Sequence, residues 1–144
     1  MALVLDATVG GEDSNTYSLL ATADTYFESR LYTDTWDDAD DADQDKALAQ
    51  ATRLLDQWYT WAGEAASAEQ ALRWPRIDAY DLDGNLIASD ELPANLVYAT
   101  AELAMALLAD DRTADSDVAT QGLKRIHTSY ISDSLGVAAI WARG

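Results

Sequence analysis

The strongest constraint on the fold is an apolar stripe between about residues 43 and 61. Apolar side chains recur there at spacings of three and four residues, while polar side chains such as Lys46 and Arg53 take the positions between them. This spacing places the apolar side chains on one face of an α-helix. The stripe consists of Ala47, Leu48, Ala51, Leu54, Leu55 and Trp58. A helix with such a face has to pack against other elements.

Two further segments show the same helical spacing. The first follows Ser18, whose hydroxyl is a suitable N-terminal cap, and has Leu20, Ala23, Phe27 and Leu31 on one face. The second opens at Pro93, a residue favoured in the first turn of a helix. It has Leu96, Ala99, Leu103, Ala106 and Leu107 on one side. These two helices are the expected partners of the central helix.

The segments between the helices carry turn and loop signals. The run DTWDDADDADQD at 34–45 holds seven aspartates and predicts a solvated loop that leads into the central helix. In QALRWPR at 70–76, Pro75 disfavours helical angles at Trp74 and predicts an extended segment. The alternation in IDAYDLDGNLI at 77–87, around Asp83-Gly84-Asn85, predicts a short hairpin or tight turn.

These elements predict a mainly α fold, a compact bundle of three to four helices with a short hairpin and an extended C-terminal arm. The length of 144 residues fits one domain. We expect residues 1–119 to form the helical body, with 1–17 as an extended N-terminal segment. Residues 120–144 mix apolar and polar positions without a helical period and predict an extended or strand-forming arm.

The charge is strongly negative and uneven along the chain. The net charge is −17, which disfavours binding to nucleic-acid phosphates and to anionic membranes. Residues 120–144 depart from this pattern, because they contain three basic residues, Lys124, Arg125 and Arg143, and a single acid, Asp133. A stretch of opposite sign indicates that the arm contacts different partners from the body.

Location is predicted from what the sequence lacks. The N-terminus has no basic residue before its short apolar run, no apolar run is long enough to span a bilayer, and there is no cysteine. We therefore expect a protein that is soluble and cytoplasmic when made.

Candidate catalytic and metal-binding patterns are weak. His127 with Ser129 and Asp133 lacks the motifs that accompany a catalytic triad. The stretch Asp81-Leu82-Asp83-Gly84 resembles part of an EF-hand loop, but Ala79 occupies the first ligand position. The other acids cluster in loops, which is typical of solvated surfaces. The sequence predicts no enzyme activity, no cofactor and no metal site.

Trp74 stands between Arg73 and Arg76, where an exposed aromatic side chain and cations would coincide. Aromatic residues beside cations can stack on the bases of single-stranded DNA, but two arginines do not make a groove. Tryptophan and arginine are also enriched at protein–protein contacts. We expect Trp74 to pack on the helical body and Arg73 or Arg76 to pair with carboxylates of the same or a neighbouring subunit.

Five motifs occur in a specific order: NTYSLLATADTYFESR, ALAQATRLLDQW, QALRWPR, DLDGN and LPANLVYATAELAMALL. Together they resemble a family of tailed-bacteriophage proteins known as DnaT-like single-stranded-DNA-binding proteins. The resemblance covers about residues 14–108, and Leu92 stands where the family pattern has isoleucine.

Members of this family look like head–tail connector, or neck adaptor, proteins. The resemblance implies a structural virion protein that forms a homo-oligomeric, dodecameric ring joining the portal to the tail. Its expected partners are the portal protein, the tail or stopper and terminator proteins, and genomic DNA that passes through the lumen without specific binding. It implies a location in the virion neck and, before assembly, in the host cytoplasm, with no membrane partner.

The residues expected at subunit or portal contacts lie in two groups. They are Arg73, Trp74 and Arg76 in the body, and Lys124, Arg125, Ile126, Tyr130, Ile140 and Trp141 in the arm. The alternative function is single-stranded-DNA binding, as the family description states, and the net charge argues against it. A third function, an inhibitor that mimics DNA with its aspartates, is also open.

Overall fold

The computed structural model describes residues 2–109, which are mainly helical. Four helices and one small antiparallel pair of strands make up this part, and Glu64 and Ala65 pair with Ile77 and Arg76 respectively. The elements are α1 (Leu20–Phe27), α2 (Asp34–Asp37), α3 (Asp41–Trp58), β1 (Glu64–Ala65), β2 (Arg76–Ile77) and α4 (Ala94–Ala109). The mainly helical prediction is therefore confirmed at this level.

The central helix, α3, forms where its apolar stripe predicts it. The Asp40 carboxylate caps its start by accepting a hydrogen bond of 2.8 Å from the Asp43 amide. Asp41 and Asp43 add negative charge in the first turn, which complements the helix dipole. The helix begins two residues before the predicted start and ends at Trp58, because Tyr59 is already extended.

The core lies mainly between α3 and α4. Leu48 and Leu55 of α3 and Leu96 and Leu103 of α4 are at most 1% exposed. Ala99, Ala101 and Ala104 of α4 are also buried, and small side chains allow the two helices to approach closely. The predicted start of the last helix is confirmed within one residue, since α4 begins at Ala94, directly after Pro93.

The acidic run at 34–45 is not a solvated loop, so that prediction is wrong. It contains α2 and the first turn of α3, and between its aspartates the Trp36 side chain is only 1% exposed. The Trp36 indole donates a hydrogen bond of 2.9 Å to the Asp24 carboxylate. The backbone carbonyl of Trp36 accepts a hydrogen bond of 2.7 Å from the Gln44 side chain. The aspartates face solvent around a buried anchor.

The start and end of α1 also differ from the prediction. Ser18 does not cap the helix, because Leu19 is the N-cap residue and no side chain makes a capping hydrogen bond. The Ser18 hydroxyl instead donates to the Leu19 carbonyl at 3.1 Å. Leu31 was predicted on the buried face, but the helix ends at Phe27 and Leu31 is 75% exposed.

The tight turn within 77–87 is confirmed. Tyr80 and Leu86 form an antiparallel bridge around it. The Asp81 carboxylate accepts hydrogen bonds from the amides of Asp83 and Asn85 at 2.9 and 2.8 Å. These bonds, chiefly the one from Asn85, lower the pKa of Asp81, so the carboxylate stays ionised as the turn requires.

The predicted C-terminal arm at 120–144 lies outside the described residues, and so do its predicted contact residues Lys124, Arg125, Ile126, Tyr130, Ile140 and Trp141. Among the helices of residues 2–109, none is both long and apolar enough to cross a bilayer.

Candidate functional site

Positive charge within residues 2–109 is concentrated in one groove. This part of the chain has five basic residues, and three of them, Arg53, Arg73 and Arg76, line a groove of about 840 Å³. Three glutamines and one serine add polar groups, and Asp56 is the single acid in the lining. We call this surface the arginine groove. Its charge is opposite to that of the chain as a whole.

One wall of the arginine groove comes from the polar side of α3. Gln50, Arg53 and Gln57 follow one another at spacings of three and four residues, so they share a helix face away from the buried leucines. Arg53 and Gln57 are exposed. In the sequence, Arg53 marks only the polar side of the stripe, and the spacing of Gln50, Arg53 and Gln57 is the signal for this wall.

The opposite wall is the segment between β1 and β2, and Gln70 holds it in shape. The Gln70 side-chain carbonyl accepts from the Ser67 amide at 2.9 Å. Its amide group donates to the carbonyls of Leu72 and Pro75 at 2.8 and 3.0 Å. A loop with its backbone groups satisfied in this way presents a defined surface.

Arg76 fastens this wall to the chain after α3. Its guanidinium donates to the carbonyls of Ala62 and Gly63 at 2.8 and 2.9 Å, and to that of Arg73 at 2.9 Å. These hydrogen bonds go to backbone carbonyls, and within residues 2–109 Arg76 forms no ion pair, so the expected pairing of Arg73 or Arg76 with a carboxylate of a neighbouring subunit stays a prediction. Partial burial, followed by repulsion from Arg73, lowers the pKa of Arg76.

Asp56 and Tyr17 fix the position of Arg73 through hydrogen bonds to the backbone. The Tyr17 hydroxyl donates to Asp56 Oδ1 at 2.6 Å. Asp56 Oδ2 accepts from the Arg73 amide at 3.2 Å, and the Tyr17 oxygen accepts from the Trp74 amide at 3.2 Å. Two consecutive backbone amides are thus held by α3 and the N-terminal segment, so Arg73 stands at a fixed point of the wall.

We expect Asp56 to make folding stability depend on pH. Burial raises the pKa of its carboxyl above 3.8, although hydrogen bonds from Tyr17, Arg73 and Trp61 oppose the shift. The folded state therefore favours the protonated form. This contribution to stability is complete below pH 3.8 and is lost as the pH rises through the higher folded-state pKa.

An NMR titration of the Asp56 carboxyl carbon measures this pKa directly. Comparing the free energy of unfolding of wild type and Asp56→Asn at several pH values isolates the contribution of this group. Titration of Asp56 below 3.8 would contradict the expectation.

The tryptophans of the described residues do not line the groove. Trp61 and Trp74 are 5% and 1% exposed and meet edge to face, with ring centroids 5.8 Å apart. The expectation of an exposed Trp74 beside the arginines is therefore wrong, while its packing on the body is confirmed. Arg73 is exposed and Arg76 is half-buried. Their predicted part in subunit contacts stays a prediction.

The comparison with known protein families identifies the chain. A family described as "Putative DnaT-like ssDNA binding protein" matches residues 1–139 of the 144. The chain belongs to this DnaT-like family. No curated protein and no solved structure matches it.

Membership of the DnaT-like family corrects the functional expectation drawn from the motifs. The family description concerns single-stranded-DNA binding, and nothing in it points to a head–tail connector. The predicted role in a phage neck, between portal and tail, is therefore wrong. The alternative, single-stranded-DNA binding, is the one that the family match supports.

Metal binding was the other chemistry to consider. Within residues 2–109, no group of three or more histidine, aspartate or glutamate side chains could hold a metal ion. The arginine groove is the candidate functional site of the described part of the chain because it gathers three of the five basic residues found there.

Proposed function

We propose that the protein binds single-stranded DNA in the arginine groove. The observation that carries the proposal is the gathering of Arg53, Arg73 and Arg76 in one groove of a chain whose net charge is −17. The DnaT-like family description supports the same ligand. DNA phosphates need cationic side chains that replace their counterions, and within residues 2–109 this groove offers the largest set.

The negative net charge weakens binding but does not prevent it. At an ionic strength of about 0.1 M, charges farther apart than about 10 Å are largely screened. A phosphate in the groove then interacts mainly with Arg53, Arg73 and the nearby Asp56. Repulsion from Asp56 is weakened because its oxygens already accept hydrogen bonds from the Tyr17 hydroxyl, the Arg73 amide and the Trp61 indole.

Two finer points belong to the same proposal. We propose that the helices form one compact bundle, which keeps the α3 wall of the groove rigid, and that the protein acts by binding without catalysis. The predicted homo-oligomeric state stays a prediction. Self-association would place several arginine grooves on one strand, and linked sites raise the overall affinity.

Fluorescence anisotropy with a labelled oligothymidylate of about 20 nucleotides tests the proposal at low salt. We expect saturable binding by the wild type. Arg53→Glu and Arg73→Glu should each weaken binding roughly tenfold or more, because each removes a phosphate contact and adds repulsion.

Lys46→Glu is the matched control for Arg53→Glu. Lys46 lies two turns earlier on the same helix, is exposed, and is absent from the groove lining, yet the change in charge is identical. We expect less than roughly a threefold effect from it. If no strand binds, or if both groove variants bind as tightly as the wild type, the groove is not the DNA site.

A further inference from the structure

We infer that the arginine groove recognises the sugar–phosphate backbone of a single strand and leaves the bases unread. This inference rests on the proposed function and specifies its ligand. Within the described part of the chain, the groove lining consists of charged, amide, hydroxyl and aliphatic side chains, and it includes no aromatic ring. Stacking on aromatic rings is the usual way in which single-strand binders hold bases.

The nearest aromatic rings are committed to the core. Trp61 and Trp74 belong to the main cluster of buried residues, and the Trp61 indole donates to Asp56 at 3.3 Å. Stacking on one base is worth about 1–3 kcal/mol. Removing a buried tryptophan from its packing costs about 3–5 kcal/mol. The cost exceeds the gain, so these rings stay in the core when DNA binds.

The exposed arginines are suited to phosphates better than to base edges. An arginine that reads guanine has to be held in the plane of the base. Among residues 2–109, the guanidinium groups of Arg53 and Arg73 make no ion pair and no hydrogen bond that would orient them. A phosphate accepts hydrogen bonds from many directions and therefore tolerates a guanidinium without a fixed orientation.

Gln70 and Arg76 are poor readers of bases, because their polar groups are already engaged. Both ends of the Gln70 amide are engaged by its own loop, and Arg76 is engaged by backbone carbonyls. Gln57 is exposed and could contact a base or a sugar equally well. In the groove as the described residues form it, Arg53 and Arg73, one on each wall, are the two arginines left to bind phosphates.

An abasic strand separates backbone binding from base binding. The experiment measures the affinity of the full chain, at several salt concentrations, for labelled oligothymidylate, oligodeoxycytidylate and an abasic strand of the same length. We expect the three affinities to agree within roughly threefold. The logarithm of the binding constant should fall against the logarithm of the salt concentration with a slope of about −1.4, for two phosphates on a single strand.

The possible results separate this inference from the proposed function. If oligothymidylate binds and the abasic strand binds more than tenfold more weakly, bases are read, and the inference falls while DNA binding stands. A slope steeper than about −3 would show that cations outside the groove also bind the strand, and would overturn the assignment of backbone recognition to the two exposed arginines of this groove. If none of the strands binds, the proposed function itself fails.

Intrinsic tryptophan fluorescence gives an independent readout. The measurement uses the variant Trp141→Phe, because Trp141 lies outside the described residues. Because the rings beside the groove stay buried, we expect the emission maximum and intensity of this variant to change by less than about a tenth on saturation with DNA. Strong quenching that is retained in Arg53→Glu and Arg73→Glu would show stacking elsewhere and would overturn backbone recognition in this groove.

Discussion

Replacing Trp36 by alanine is expected to lower the free energy of unfolding by about 3–5 kcal/mol. The side chain is 1% exposed, and its ring centroid lies 4.9 Å from that of Phe27. The change leaves a cavity next to Phe27 and removes the hydrogen bond from the indole to Asp24. It also loosens α2, a helix of four residues that has Trp36 as its one buried residue.

Chemical denaturation with urea measures this effect. Tyr32→Ala is the control, because Tyr32 is an aromatic residue four positions earlier and is 89% exposed. We expect the control to change stability by less than about 0.5 kcal/mol. A loss of less than about 1 kcal/mol in Trp36→Ala would show that the aspartate-rich segment contributes little to the core.

Trp36 also shows why the acidic segment was misread. Seven aspartates within 34–45 dominate any average over this stretch, and the average describes a solvated loop. Burial is decided residue by residue, and one large ring can enter the core while its neighbours stay in water. The acceptor on Asp24 comes from another helix, so no local pattern could have revealed it.

The helices that could be predicted are those in which the apolar spacing repeats over many residues. The stripe of α3 and the spacing in α4 repeat over four turns or more, which is enough to identify a buried face. The arginine groove has no such signal. Arg53 and Arg73 are 20 positions apart, and they meet through two strands of two residues each and through the hydrogen bonds of Arg76. Pairing of such short strands is decided by tertiary contacts.

Net charge was the argument that counted against single-stranded-DNA binding, while the role in a phage neck came from the resemblance. A total of −17 counts every acid equally, although most of them lie outside the groove. A ligand responds to the charges within about a Debye length, and the groove has three arginines to one acid. The sign of a local surface is therefore a better guide to a nucleic-acid site than the sign of the whole chain.

Replacing Gly63 by alanine is expected to cost about 3–5 kcal/mol of folding stability. Gly63 has a φ of 76°, and a Cβ atom there would clash with the Ile77 carbonyl oxygen. That oxygen belongs to β2, so relief of the clash requires the two strands to separate. The Gly63 carbonyl also accepts a hydrogen bond from Arg76, so the same movement breaks one of the bonds that hold the groove wall.

Gly84→Ala separates the cost of the backbone angle from the cost of the clash. Gly84 has a similar φ of 82°, but nothing lies within 4 Å of a Cβ atom at that position. Its expected cost is therefore the left-handed conformation alone, about 1–2 kcal/mol. Thermal and urea unfolding of both variants measure the difference, and equal losses would contradict the role given to the contact with Ile77.

The two variants should also differ in DNA binding if Gly63→Ala remains folded at low temperature. We expect the affinity of Gly63→Ala for oligothymidylate to fall and that of Gly84→Ala to stay at the wild-type value. The reason is that Arg76 donates hydrogen bonds to the carbonyls of both Gly63 and Arg73.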